Sequence, residues 1–181
     1  MKYGLIIAIC GVLMGTAVFA NKPTYEVRNA MIGPQGGTLK IEQTGTPLDG
    51  FKIEVPPGAF ERETRLGVGY RINAITPKSG TPSKVSVIIQ TKQASTQENA
   101  FWVGVDSYSP SIIVHIHCDP EKWAGFLPVP YRIEADGKLS PVDLLNWNKE
   151  TGDAAIAIAM PMELTWIYTI DPAGPTSLHS R

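Results

Sequence analysis

The chain has 181 residues, a formal net charge of -1, 43% apolar residues and 18% charged residues. This composition is that of a globular domain and argues against an intrinsically disordered chain. Lys and Arg residues are scattered singly, so no basic stripe can neutralise phosphates, and we predict no nucleic-acid partner. The 17 Gly and 15 Pro residues lie between short apolar runs, which favours β-structure over a helical bundle.

Residues 1–20 have the pattern of a cleavable signal peptide. Lys2 supplies the positive start, residues 4–18 are apolar, and residues 18–20 (VFA) have the spacing of a cleavage site. The alternative is an uncleaved membrane anchor, which requires about 20 apolar residues. We therefore expect a secreted or periplasmic protein that begins at Asn21 and keeps no membrane span.

The rest of the chain predicts one all-β domain over residues 23–171, followed by a loose tail at 172–181. Short alternating or apolar runs separated by turn residues are typical of a sandwich or barrel. We predict an antiparallel β-sandwich of about ten short strands with little or no helix. The strands are expected at 38–43, 51–55, 65–72, 84–90, 101–106, 112–117, 130–134, 138–147, 153–159 and 164–170. Hairpin turns are expected at Asp136-Gly137 and Thr151-Gly152.

Two stretches near the start of this domain resemble a known family. Residues 32–39 (IGPQGGTL) and 51–60 (FKIEVPPGAF) resemble the opening of the ZU-five-type domain of zonula-occludens proteins, netrin receptors, ankyrins and exported bacterial proteins. Residues 129–170 are similar to its closing half, whereas residues 74–126 are unmatched. The resemblance implies a non-enzymatic structural or protein-interaction module, although a fold alone does not supply a function.

The last predicted strand departs from a pattern found in some relatives with this fold. Those relatives cleave themselves at a His-x-Ser or His-x-Thr tripeptide, where the imidazole takes the proton of the attacking hydroxyl. The matching residues here are Glu163-Leu164-Thr165, so a glutamate replaces the histidine. Because a carboxylate is a much weaker base than an imidazole, we predict that the chain does not cleave itself.

The most distinctive cluster of candidate ligands lies in residues 114–119 (VHIHCD). Alternation on a strand places His115, His117 and Asp119 on one face and the apolar residues on the other. Two imidazoles and a carboxylate are a possible zinc or transition-metal site. The alternative is a half-buried strand with both imidazoles in solvent, which also explains Cys118 as a small buried residue. Cys118 is the only cysteine left after removal of the signal, so no internal disulfide is expected.

Catalytic signatures are missing from the sequence, which has no Gly-x-Ser-x-Gly, no His-Glu-x-x-His and no phosphate loop. The four tryptophans could stack on sugar rings, but Trp166 lies in an apolar run and Trp102 is the one expected to be exposed. We therefore predict an exported, non-enzymatic structural or protein-interaction module with no cofactor and an unknown protein partner. The alternative is a small metal- or ligand-binding β protein that uses His115 and His117.

Overall fold

The predicted antiparallel β-sandwich is confirmed by a computed structural model, which describes residues 25–73, 75–94, 102–119 and 121–170. The described residues form thirteen strands and no helix. The strands are β1 (Tyr25–Ile32), β2 (Gly37–Lys40), β3 (Lys52–Val55), β4 (Thr64–Ile72), β5 (Thr81–Pro82), β6 (Val85–Ala94), β7 (Trp102–Gly104), β8 (Ile112–His117), β9 (Phe126–Ile133), β10 (Leu139–Pro141), β11 (Leu144–Asn148), β12 (Asp153–Ile158) and β13 (Met162–Ile170).

The strands form two antiparallel sheets. The eight-stranded sheet has the order β1-β4-β6-β13-β9-β10, with β5 paired to β13 and β7 paired to β6. The five-stranded sheet has the order β11-β12-β8-β3-β2. The predicted signal peptide (1–20) and tail (172–181) lie outside the described residues. Within the described part, no helix is long and apolar enough to cross a membrane.

The core lies between the two sheets because side chains alternate along every strand. Ile53, Val114 and Ile156 project into it from the five-stranded sheet, and Leu66 and Leu164 project from the eight-stranded sheet. Each of these five side chains has an exposed fraction of 0%. Burial of one such side chain stabilises the fold by about 1.5–3 kcal/mol, so this layer supplies most of the driving force.

One strand prediction was wrong, and two strands, β1 and β5, were not predicted. Residues 138–147 form not one strand but two, because β10 ends at Pro141, which has no N–H to continue a ladder. The chain then changes sheets, since β10 belongs to the eight-stranded sheet and β11 to the five-stranded one. Strand β1 was not predicted, because a bulge between Glu26 and Arg28 interrupts its alternation.

Both predicted hairpin turns are present, and both depend on glycine. Gly137 and Gly152 have φ angles of 81° and 74°, which other residues rarely adopt. Asp136 keeps a negative φ and instead accepts a 3.0 Å hydrogen bond from the backbone N–H of Lys138. The turn at 136–137 joins β9 to β10, and the turn at 151–152 joins β11 to β12.

Candidate functional site

Strand β8, which carries the two histidines, lies in the middle of the five-stranded sheet between β3 and β12. Val114 and Ile116 are buried in the core, as the alternation predicted, and so is Cys118. Burial raises the pKa of the Cys118 thiol. A thiol that resists ionisation is a poor nucleophile and a poor metal ligand, so Cys118 serves as a core residue.

His115 points outward from β8 toward β3. Its Nε2 lies 3.4 Å from Oε2 of Glu54, while Oε1 of Glu54 accepts a 2.6 Å hydrogen bond from Lys52 Nζ. The hydrogen bond from Lys52, and to a smaller extent His115, lowers the pKa of the Glu54 carboxyl. Nε2 of His115 makes no hydrogen bond among the described residues, so its 3.4 Å approach to Glu54 is a contact without a hydrogen bond.

His117 points outward from the same strand but pairs with β12. It lies directly opposite Asp153, and its Nδ1 donates a 3.0 Å hydrogen bond to Oδ1 of that residue. This hydrogen bond is the main reason that the pKa of Asp153 is lowered. Both side chains are about half exposed, at 47% and 58%, so water screens the pair.

Asp119 does not join the two histidines. It follows the end of β8, and its Oδ1 accepts hydrogen bonds from the backbone N–H groups of Glu121 and Lys122 at 3.0 and 3.3 Å. In the described part of the chain, no group of three or more His, Cys, Asp and Glu side chains could hold a metal ion. A metal site at His115 and His117 stays a prediction, with Asp119 occupied in a turn.

Thr165 is fully buried on the outward side of β13. Its Oγ1 accepts a 2.7 Å hydrogen bond from the Asn73 amide and lies 3.2 Å from Oγ of Ser83. Ser83 gives its own hydrogen to the carbonyl of Val85, so Thr165 must be the donor to Ser83. The hydroxyl that would have to attack in self-cleavage is therefore tied into a structural network where β5 and β6 meet.

Glu163, the residue in place of the histidine, is also engaged. Its Oε2 lies 3.4 Å from Arg71, and its Oε1 accepts a short hydrogen bond from the buried Ser86 hydroxyl. The carboxylate thus links β13 to β4 and β6. The prediction that the chain does not cleave itself stays open to experiment.

The outward side of β9 and β10 carries a feature that was not predicted from the sequence. Pro128 and Pro130 of β9 are buried opposite Tyr168 and Trp166, so the alternate residues of β9 point away from the core. These outward residues, together with those of β10 on the same side, are all apolar or aromatic. We call them the β9–β10 face: Leu127, Val129, Tyr131, Ile133, Leu139 and Pro141.

The β9–β10 face is not part of the core. Its residues are half-buried or exposed, and none of them packs against the main hydrophobic cluster. The signal in the sequence was the absence of a polar residue at positions 127, 129, 131 and 133. The two prolines obscured it, because proline in a strand indicates an edge or a non-strand.

The tryptophans form no open platform for sugar rings in the described part of the chain. Trp123, Trp147 and Trp166 pack in or against the core. One side of Trp123 is covered by Tyr168, with ring centroids 3.5 Å apart and planes 3° apart. The side chain of Trp102 lies outside the described residues.

Comparison with known proteins adds no relative. No protein-family model, no curated protein and no solved structure matches this chain. The function must therefore be argued from the surfaces of the sandwich itself.

Proposed function

We propose that the protein is an exported, non-enzymatic module for protein interaction, and that the β9–β10 face is its contact surface. One observation carries this proposal. Six outward positions on two neighbouring strands hold apolar or aromatic residues that do not pack against the core. Water-facing sides of antiparallel sheets normally carry polar residues, so a run of apolar residues at outward positions favours a contact with another molecule.

The size of the face indicates a weak contact and not a stable, permanent complex. Strand β9 has eight residues, which gives a length of roughly 27 Å, and two strands span roughly 10 Å. The product, roughly 270 Å², is an upper bound because β10 has only 3 residues, and it is still well below the ~800 Å² that each partner buries in a stable complex. The face is therefore the apolar centre of a weaker contact, with the partner supplying apolar groups to match.

Three further features support the proposal. The pattern of residues 1–20 supports export. The resemblance of residues 32–39 and 51–60 to ZU-five-type domains supports a module and not an enzyme. The engagement of Glu163 and Thr165 by neighbouring side chains supports a structural use of those two groups. The alternative function, metal or ligand binding at His115 and His117, is supported by their common outward face.

The contact surface can be tested by crosslinking in the native host. A photo-crosslinking residue placed at Val129 should give an adduct with a second protein, and the added substitution Tyr131→Asp should abolish it. The matched control is the same residue placed at Asn146, which is exposed on the five-stranded sheet. Equal adducts from both positions, or none from Val129, would contradict the proposal. An adduct with a second copy alone would mean that the face binds another copy of this chain and not a different protein.

Export has its own test, independent of the contact surface. N-terminal sequencing of the exported protein should begin at Asn21, because cleavage is expected after Ala20. Intact Met1 on membrane-embedded material would mean that the first segment is an anchor.

A further inference from the structure

The outer side of the eight-stranded sheet contains a hollow of about 280 Å³ where β4 runs between β1 and β6. Its floor is formed by Gly67 and Gly69, which occupy two successive outward positions of β4 and contribute no side chain. Its sides are formed by polar and apolar side chains of the three strands: Glu26, Arg65, Ile88, Gln90 and Lys92.

The two glycines differ in what the fold requires. A Cβ on Gly69 would lie 2.7 Å from the carbonyl oxygen of Tyr25. Glycine is therefore required at this position, because the backbone of β1 leaves no room for a side chain. A Cβ on Gly67 would meet nothing closer than 3.9 Å, and the φ of Gly67 is not in the left-handed region. Glycine inside a strand weakens it and often marks a place where a ligand comes close to the backbone. Packing does not explain Gly67.

The charges around the hollow are unbalanced. Arg65 and Lys92 lie directly opposite each other on β4 and β6, an arrangement of like charges that destabilises a sheet. Glu26 offsets Arg65 through a 3.2 Å ion pair. Lys92 has no ion pair or hydrogen-bond partner in the described part of the chain. One ammonium group therefore remains unneutralised at the rim, next to the amide of Gln90.

We propose that this hollow binds a small organic carboxylate. The carboxylate lies between Lys92 and Arg65, and the body of the ligand lies over Gly67 against Ile88. A singly charged anion matches the one excess positive charge, whereas a doubly charged phosphate would exceed it and would be repelled about twice as strongly by Glu26. The volume suits a ligand at the small end of the usual range. The inference goes beyond the proposed protein contact and does not depend on it, since the β9–β10 face lies on other strands.

The test uses benzoate as the probe and the amide NMR signals of the exported protein as the readout. Benzoate should shift the signals of Gly67, Gln90 and Lys92 with a dissociation constant of about 1 mM, as expected for a small ligand in an open site. Lys92→Glu should weaken binding roughly tenfold or more, because a charge-assisted contact is lost. Lys84→Glu, the same charge change at an exposed position outside the hollow, should leave binding unchanged.

Substitution of the floor separates ligand binding from stability. Gly67→Ala has room for its Cβ and should melt no lower than the wild type, while Gly67→Val should fill the floor and abolish benzoate binding. Inorganic phosphate should bind more weakly than benzoate at the same signals. The proposal is overturned if benzoate shifts none of these signals, if Lys84→Glu weakens binding as much as Lys92→Glu, if Gly67→Val binds as well as wild type, or if phosphate binds as tightly as benzoate.

Discussion

The outward sides of the two sheets cover the same core but differ in chemistry. On the five-stranded sheet, His115 and His117 face carboxylates on the neighbouring strands. On the eight-stranded sheet, the corresponding positions of β9 and β10 hold Val129, Tyr131 and other apolar residues. A sandwich needs only its inner sides to be apolar, so the first surface is what solvent alone would select. The second surface needs another reason, and a partner protein is the one we propose.

The largest expected effect contrasts the inner and outer sides directly. Val114→Asp should lower the free energy of unfolding by about 4 kcal/mol or more, because it places an unpaired charge in the core. Val129→Asp, the same substitution on the β9–β10 face, should change it by less than about 1 kcal/mol. Chemical denaturation of both variants measures the difference.

The outcome of this pair decides whether the β9–β10 face is open. If Val129→Asp is as damaging as Val114→Asp, the face is covered within the protein itself and has no room for a partner. If Val114→Asp unfolds like the wild type, the assignment of inner and outer sides on β8 is reversed.

A smaller effect on stability is expected at Thr165, a buried polar residue of the eight-stranded sheet. Thr165→Val keeps the shape of the side chain but removes the oxygen that pairs with Asn73 and Ser83. We expect a loss of about 1–3 kcal/mol in the free energy of unfolding, the usual cost of a buried group left without its partner. Thermal or chemical denaturation measures it.

The control for this variant is Thr169→Val, on the same side of β13 but half-buried, which should change the free energy of unfolding by less than about 0.5 kcal/mol. The wild-type protein should also keep its intact mass after prolonged incubation at neutral pH. A break between Leu164 and Thr165 that disappears in Thr165→Ala would mean that the hydroxyl acts as a nucleophile and not only as a structural group.

The residues on the inner side of the sandwich could be predicted from the sequence. Those on the outer sides could be predicted only in part. Alternation identified the buried residues of β8 because a period of two is visible in one strand without its neighbours. The pairs of His115 with Glu54 and His117 with Asp153 depend on which strands adjoin β8, and a single sequence does not contain that register. Asp119, predicted as a possible third ligand, follows the end of the strand, and its carboxylate accepts hydrogen bonds from the backbone of a turn.

The hollow at Gly67 could not be predicted from the sequence either, because it also depends on which strands are neighbours. The like-charge pair of Arg65 and Lys92 joins residues that are distant in sequence, and only the antiparallel register of β4 and β6 places them side by side. The β9–β10 face could have been predicted from the sequence, because Leu127, Val129 and Tyr131 alternate with prolines and therefore share one side of a strand. Those prolines are tolerated because β10 pairs with β9 only at residues 131–133, which leaves the proline-bearing part of β9 at an edge.

The charged side of the five-stranded sheet predicts a modest loss of stability in acid. The pKa of Asp153 is lowered in the folded state by the hydrogen bond from His117. A carboxyl with a lowered pKa stabilises the fold above its unfolded pKa, near 4, and loses that contribution as the pH falls through the folded pKa. The wild type should therefore lose free energy of unfolding below about pH 4 that Asp153→Asn does not lose. The difference should be about 0.5 kcal/mol or less, because the pair is exposed.

Urea denaturation of the wild type and Asp153→Asn at several pH values between 2 and 6 measures this effect. Asp49→Asn is the matched control, because Asp49 accepts a hydrogen bond from the backbone N–H of Gln43 and has no histidine partner. An identical pH profile for the wild type and Asp153→Asn would mean that the pair with His117 adds nothing to stability.

The smallest expected effect is that of zinc on the same surface. A site occupied at a hundred times its dissociation constant would contribute about 2.7 kcal/mol, which would raise the melting temperature by about 5–10 °C in a protein of this size. We expect no such rise at neutral pH, because each imidazole already faces a carboxylate and Asp119 is held in a turn. Zinc would have to separate both imidazoles from these carboxylates and find its remaining ligands in water. A rise of several degrees that disappears in His117→Ala would make the histidine surface the functional one. In that case the contrast between the two outer sides would reflect two binding sites, one for a metal ion and one for a protein.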